Sequence, residues 1–317
     1  MVGNNNSVFE IGIMARVTWD LHSLNNEGNV GNVTEPRTVV LASGEKSDGI
    51  SGEMLKHIHS YNIWLSEADK SSFCPACAHL QPQRADLPDY RKTLKGNSNT
   101  EIMDIAIANC VLCDLHGFLV QEPPINRRST IEFGWVVGLP DQQYRDIHLH
   151  ARHSMEERRA RGKSNENKMA EGEQESEVSA QMIYHRPTRS GVYALVSLFQ
   201  PWRIGLNEIN YEYIKKIDKQ YRYTLALKAY KAIFMHTDGA MTSTRLPHLE
   251  GIEGVIVISN SNCPVPLISP LKKNYREELK NVSQNQNYIE LQEFNNLNDV
   301  LSILDRIMSR PIFSFKR

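Results

Sequence analysis

Two C-x-x-C pairs constrain this chain more than any other feature. They are Cys74-Pro75-Ala76-Cys77 and Cys110-Val111-Leu112-Cys113, with 32 residues between them. Four soft thiolates in this pattern suit one tetrahedral Zn²⁺, each pair presenting two sulfurs to a common point. The gap exceeds the ~15–20 residues of compact zinc ribbons, so the intervening segment must close into a small lobe. His79 and His116 are near enough to replace a cysteine as ligand. Two other readings stand beside zinc: reduced cysteines packed as small hydrophobes, or a redox pair. Neither pair opens a helix after a strand in the thioredoxin manner, which weighs against redox chemistry. A zinc here is structural, because residues 69–118 are interrupted by Pro75, Pro82, Pro88 and Gly96 and hold few large apolar side chains. Cys263 is left over, an odd count that fits the cytosol better than secretion.

Around that lobe the hydrophobic pattern sketches the rest. Residues 8–22 alternate Phe9, Ile11 and Ile13 against Glu10 and Gly12, which reads as a strand, and "TVVLA" is a second short apolar run. Ser51 is positioned to cap a helix over 51–68 with an apolar stripe of Met54, Leu55, Ile58, Tyr61 and Leu65, leaving Lys56 and His59 to point away. Strands follow at 130–140, closed by Pro140, and at 191–206. A long helix spans 211–239 and stops at Gly239, a strand covers 253–260, and a short helix covers 297–308. The order strand, helix, strand, strand, helix, strand is the ferredoxin-like plan shared with RNA-recognition modules. Residues 141–180 are polar and charge-segregated, basic at 158–163 and acidic at 171–177, and read as a mobile excursion.

Polar clusters sit at the boundaries of these elements. The stretch "LNNEGNVGNVTEPRTVV" is too long for a turn and carries Asn25, Asn26, Asn29, Asn32 and Arg37. Others are Lys56, His57 and His59 on the first helix, Arg127-Arg128-Ser129, Arg186 with Arg189, and Arg245. Arg and Lys neutralise phosphates, and Asn and Ser bond phosphate and sugar oxygens. Any one cluster also reads as an ordinary solvated surface. The net charge of −1 excludes a molecule that is basic throughout, so a nucleic acid would have to be held by local patches. No apolar run is long enough for a membrane span and "MVGNNNSVFE" is not a signal peptide, so a cytoplasmic protein is expected. There is no G-x-S-x-G, P-loop or H-E-x-x-H, which points away from an enzyme. Asp48 in "GEKSDGISG" reads either as a catalytic carboxylate or as a turn former beside Gly49.

Taken together, "DLHSLNNEGNVGNVTEPRTV", "SGEMLKHIH", "LCDLHGFL", "RRSTIEFGWVVGLPD" and "RSGVYAL" resemble the CRISPR-associated DevR-type family of the RAMP superfamily, in order, over about residues 8–260. These are backbone subunits of type I Cascade surveillance complexes, and the likeness is to the I-B kind. The resemblance implies an α+β fold: an RRM-like (ferredoxin-like βαββαβ) palm with an inserted finger lobe and a thumb hairpin. The palm would comprise 1–68, 119–140 and 191–317, the finger lobe 69–118, and the mobile insertion and thumb 141–190, with "QMIYHRPTRSGVYAL" as the returning limb. Copies would stack head to tail along a guide RNA (crRNA), beside other Cascade subunits, and present it to target DNA in antiviral defence. The implied RNA-binding residues are Asn25, Asn26, Asn29, Arg37, Lys56, His57, Arg127, Arg128, Arg189 and Arg245. The implied rivals are a metal-dependent ribonuclease using Asp48, as in RNA-cleaving cousins whose loop this one does not otherwise match, and a DNA-binding autoregulator.

Overall fold

The apolar run at the N-terminus becomes the spine of the molecule. In the computed structural model, which describes residues 6–152 and 182–315, β1 (Glu10–His22) is covered on both faces. A hairpin of β2 (Asn26–Val30) and β3 (Val33–Pro36) follows, then β4 (Thr38–Val40), β5 (Lys46–Ile50) and α1 (Gly52–Ser66). The cysteine segment is built from α2 (Pro75–Ala78), α3 (Pro88–Leu94), α4 (Asn99–Ala108) and α5 (Val111–His116). A small hairpin, β6 (Phe118–Val120) and β7 (Ile125–Arg127), leads to β8 (Ile131–Phe133) and the long strands β9 (Val136–Arg152) and β10 (Met182–Phe199). The chain ends with β11 (Leu206–Asn207), β12 (Glu212–Tyr213), α6 (Lys219–Met235), β13 (His248–Ser259), α7 (Tyr275–Gln284), β14 (Ile289–Phe294) and α8 (Leu297–Met308).

The main sheet runs β14-β13-β1-β10-β9-β5-β4, and each of these neighbours is antiparallel. With the insertions set aside, β1-α1-β9-β10-α6-β13 is the element order expected from the sequence. One face of β1 places Ile11, Ile13, Val17 and Trp19 in the main core with residues of α1, α6 and α8. The other face packs Met14, with Val255 and Val257 of β13, against Val265, Tyr275 and Leu279. Burial on both sides explains why β1 also carries the apolar Met14 between the alternating Ile11, Ile13 and Val17. The second face comes so close at Gly12 that a Cβ there would lie 2.9 Å from Leu267 Cδ2.

Several sequence expectations are corrected. Ser51 does cap α1, accepting a hydrogen bond from Met54 N. The buried stripe, however, is Leu55, Ile58, His59 and Ile63, so His59 points inward and Leu65 is exposed. The amide-rich segment is a hairpin leaning on β10, where His185 N donates to Asn32 O at 2.7 Å, not a loop. Pro140 does not close its strand. It falls in an irregularity where β9 residues 139–142 bulge out between the Tyr193–Gly138 and Gly191–Gln143 pairs, so its missing N–H costs no ladder bond. Beyond that point, part of the region expected to be a mobile excursion is a two-stranded ribbon, pairing Arg145 with Arg189 through Arg152 with Met182. The rest of the expected excursion, 153–180 with its basic and acidic runs, lies outside the described residues. The helix expected over 211–239 is confined to α6, preceded by β12.

Candidate nucleic-acid interface and cysteine cluster

The four cysteines of the two pairs meet. Each pair starts a short helix, Cys74 ahead of Pro75 in α2 and Cys110 as the N-cap of α5. All four Sγ atoms are buried and lie within 4.8 Å of one another. Cys113 Sγ is 3.8 Å from Cys74 Sγ and 3.9 Å from Cys77 Sγ. A tetrahedron with metal–sulfur bonds of ~2.3 Å has an edge of about 3.8 Å, so these two separations fit the spacing that a thiolate metal site requires. Cys110 Sγ also accepts a hydrogen bond from Cys113 N at 3.3 Å. Sulfur neighbours hold the Cys74 thiol far below its ordinary value, Cys110 foremost, and push Cys77 and Cys113 up. Four packed thiols cannot all ionise unless a cation joins them. His79 and His116 are not members of the group.

His116 has another partner. His59 Nε2 lies 3.0 Å from Ala226 O and must donate to it, so His59 Nδ1 accepts from His116 Nε2 at 3.0 Å. Burial drives His59 down to about 3 and His116 well below its ordinary value, which keeps the pair neutral. The cysteine segment is fastened to α6, the β6–β7 hairpin and Gly205 at Asp114, beside Cys113. This buried carboxylate accepts from Arg127 Nη2 at 2.6 Å, Arg222 Nη1 at 2.7 Å and Gly205 N at 3.0 Å.

At the other end of β1 the amide-rich hairpin, the start of α1, the ribbon and the 236–247 loop converge. Asn25 is the hub: its carbonyl accepts from Arg189 Nη2 at 2.7 Å and Arg37 N at 3.3 Å, and its Oδ1 accepts from Ser51 N at 3.0 Å. Ala240 N donates to Leu24 O at 3.0 Å, and Asn26 Nδ2 reaches Met241 Sδ at 3.5 Å. Arg245 donates to Thr188 Oγ1 and to His150 Nε2, both at 2.9 Å, fixing the loop to the ribbon. Asn29 is exposed on the hairpin and accepts from Thr34 Oγ1. Arg37 pairs with Glu27 at 2.7 Å on a partly exposed surface.

Asp48 is neither a loop residue nor a turn former. It lies in β5, fully buried, 2.8 Å from Arg145 Nη2 and 3.8 Å from Arg189 Nη1. Arg145 and Arg189 face each other across the ribbon. Like charges directly opposite on a sheet repel, and Asp48 offsets that repulsion from the adjacent strand. Beside it His22 Nε2 bonds Tyr193 OH at 2.8 Å, and burial, then Arg189, depresses His22 to about 3.

The expected site residues therefore divide. Asn25, Asn26, Asn29, Arg37, Arg189 and Arg245 share this end of the sheet; Lys56 and the exposed His57 follow on α1, with Lys56 turned toward Glu132 of β8, which lies opposite Leu198 near the other end of β10. Lys56 pairs with Glu132 at 3.3 Å, and its partial burial lowers it from the ordinary lysine value. Arg189 is fully buried, so it supports Asn25 and does not face solvent. Arg127 is corrected outright: it is buried and donates to Asp114, Leu206 O and Arg203 O, so no surface remains for phosphate. Arg128 is exposed, but it sits by Arg203 at the far end of β10. Trp135 and Arg145 were missed by the sequence reading; the alternation of Ile147 and Leu149 with His148 and His150 is the strand signal that could have drawn attention to this stretch.

Residues 13–280 match the model of a family described as CRISPR-associated negative auto-regulator DevR/Csa2. A search of curated proteins finds no match. Among solved structures, a chain of a "CRISPR RNA-guided surveillance complex" is similar at a TM-score of 0.51 and 10% identity, over 95% of this chain and 98% of that one. Another, from a "CRISPR RNA-guided surveillance complex, pre-nicking", has a TM-score of 0.50 and 11% identity, over 87% and 88%. At these identities the likeness is one of fold, a mixed α+β architecture around an antiparallel sheet. The family match spans most of the chain, and the protein belongs to the CRISPR-associated DevR/Csa2 family.

Proposed function

We propose that this protein is a non-enzymatic backbone subunit of a type I-B Cascade, binding crRNA along its phosphodiester chain and repeating head to tail with copies of itself. The observation that carries this reading is the convergence of four segments distant in sequence on one end of the sheet, in a chain of this family. There Asn29 and Arg37, with Lys56 and His57 farther along α1, offer amide, guanidinium, ammonium and imidazole groups to a backbone, a chemistry that holds any sequence equally well. The β13-β1-β10-β9 centre is the RRM-like palm, the cysteine segment the fingers, and the β9–β10 ribbon the thumb. Other Cascade subunits and target DNA complete the assembly, in the cytoplasm. Among the described residues no helix is long and apolar enough to cross a membrane.

Cys74, Cys77, Cys110 and Cys113 would hold a structural Zn²⁺, which supplies no chemistry to the interface and closes the finger lobe. The ribonuclease alternative is disfavoured by the position of Asp48, whose carboxylate is fully buried beside Arg145 and Arg189. Binding to labelled guide RNAs of three unrelated sequences, and to duplex DNA, over a range of salt tests the reading. Equal affinities for the guides, well above that for duplex DNA, and intact RNA after incubation with Mg²⁺ are expected. Cleavage would restore the nuclease reading, and a preference for duplex would restore the autoregulator.

A further inference from the structure

The ribbon root, the amide-rich hairpin and the β4–β5 edge enclose an open cleft of about 690 Å³, within the ~300–1,000 Å³ of small-ligand sites. Its charges cancel: Arg37, Lys46 and Arg145 are met by Glu27, Glu35 and Asp146. Arg37 already pairs with Glu27 at 2.7 Å, and Arg145 with Asp48 at 2.8 Å. Such a wall has no net attraction for a polyanion. What it offers beyond charge is the indole of Trp135, 47% exposed.

That ring is held in place. It lies against the backbone of β5 at Gly49, where an added Cβ would sit 3.2 Å from Trp135 Cε3 and Cζ3 and 2.9 Å from Val39 Cγ1. Glycine there lets a large aromatic rest on the strand, with part of its surface left to the cleft. An exposed aromatic at the edge of a phosphate-binding surface is a stacking platform, and stacking accepts any base because every base has a π-face.

We infer that this cleft seats one nucleobase of the bound single strand, stacked on Trp135, while the phosphates run along its rim, where Arg37 can exchange Glu27 for one of them. The inference rests on the proposed nucleic-acid binding. It assigns the cleft to the uncharged part of the nucleotide, so Trp135 contributes affinity without contributing to salt dependence.

The test compares a single-stranded RNA oligomer with one of the same length that keeps its sugar–phosphate chain but lacks bases. Each is titrated against full-length wild type, Trp135→Leu and Trp135→Phe, with intrinsic fluorescence and salt dependence as readouts. Leu keeps apolar volume without a π-face, whereas Phe keeps a smaller face. The natural oligomer is expected to quench wild-type fluorescence. Trp135→Leu should bind it about tenfold more weakly at unchanged salt slope, and Trp135→Phe should retain most of the affinity. The baseless oligomer should bind wild type and Trp135→Leu alike. Equal binding of the natural oligomer by all three proteins, or a shallower salt slope for Trp135→Leu, would overturn the seat while leaving RNA binding in place. Failure of wild type to bind either oligomer would instead refute the nucleic-acid reading, and the seat with it.

Discussion

The cysteine lobe and the hairpin–ribbon junction are both polar clusters assembled from distant segments, yet they relate to the sequence in opposite ways. In the lobe, the residues that announce themselves in the sequence are the ones that meet, within 4.8 Å. At the junction, the conspicuous cations are sorted by burial, and some of the most basic positions turn inward. There Arg189 is fully buried while Arg37 remains partly exposed, and away from the junction Arg127 is buried on Asp114 while Lys56 remains partly exposed. A thiolate site needs its ligands wherever they are placed. An arginine serves a phosphate or an internal carboxylate equally well, and only the fold decides which.

The largest effect that would sharpen the contrast is loss of the lobe. Removal of zinc by a strong chelator, or Cys77→Ser, should unfold residues 69–118, because structural zinc in small domains contributes apparent folding free energies of ~10–16 kcal/mol. Elemental analysis should give about one zinc per chain, and Cys263→Ser, which changes none of the four clustered thiols, should not alter it. A fully folded, metal-free preparation would break the comparison at its first term.

Asp48 carries the next effect. Asp48→Asn leaves Arg189 buried without a counter-charge opposite Arg145, and breaking a buried pair costs on the order of 3 kcal/mol. Part of that is relieved because Arg145 is 41% exposed. A clearly lowered melting temperature is expected. Unchanged stability, combined with loss of an RNA-cleaving activity, would return Asp48 to catalysis.

These two cases explain how far the sequence could be read. The alternation in β1 and the apolar spacing in α1 are local consequences of burial, so the element order was legible. The cysteine cluster was legible because thiolate pairs carry their own chemistry. The inward turn of His59 was not, since its partners Ala226 and His116 lie far away in sequence. Nor was the ribbon, whose polar residues resemble a solvated loop until β10 pairs with them. Pro140 misled for a similar reason, as only the register shows that it sits in a bulge.

A smaller effect follows from pH. His22 is lowered to about 3 inside the junction, and His59 to about 3 beside the lobe. Their unfolded forms titrate near pH 6.5, so the unfolded chain binds more protons below that value. Stability from these groups is complete above pH 6.5 and is lost as pH falls toward 3, at up to about 1.4 kcal/mol per pH unit for each histidine. A melting temperature that declines from pH 6.5 to 5 in wild type, and declines less steeply in His22→Gln, is the expected result. An identical decline in both would show that His22 is already free to protonate in the folded protein.

The smallest effect separates exposed from buried cations most directly. Arg37→Ala removes a guanidinium that is partly exposed and held by Glu27, itself largely in solvent, so its ion pair is easily exchanged for a phosphate. With one fewer phosphate neutralised, the salt dependence of RNA binding should become shallower by about one counterion, and binding should weaken by a similar factor for unrelated guides. Lys56→Ala should do the same. Asn26→Ala should weaken binding with little change of slope, because an amide releases no counterion. Arg127→Met removes a cation of equal charge, but one with no surface, so the slope should stay as in wild type while stability falls. The measurement is one titration series: three unrelated guides, four variants and several salt concentrations. A slope change for Arg127→Met, or guide-dependent losses for Arg37→Ala and Lys56→Ala, would mean that burial in the free subunit does not decide which cations meet the RNA.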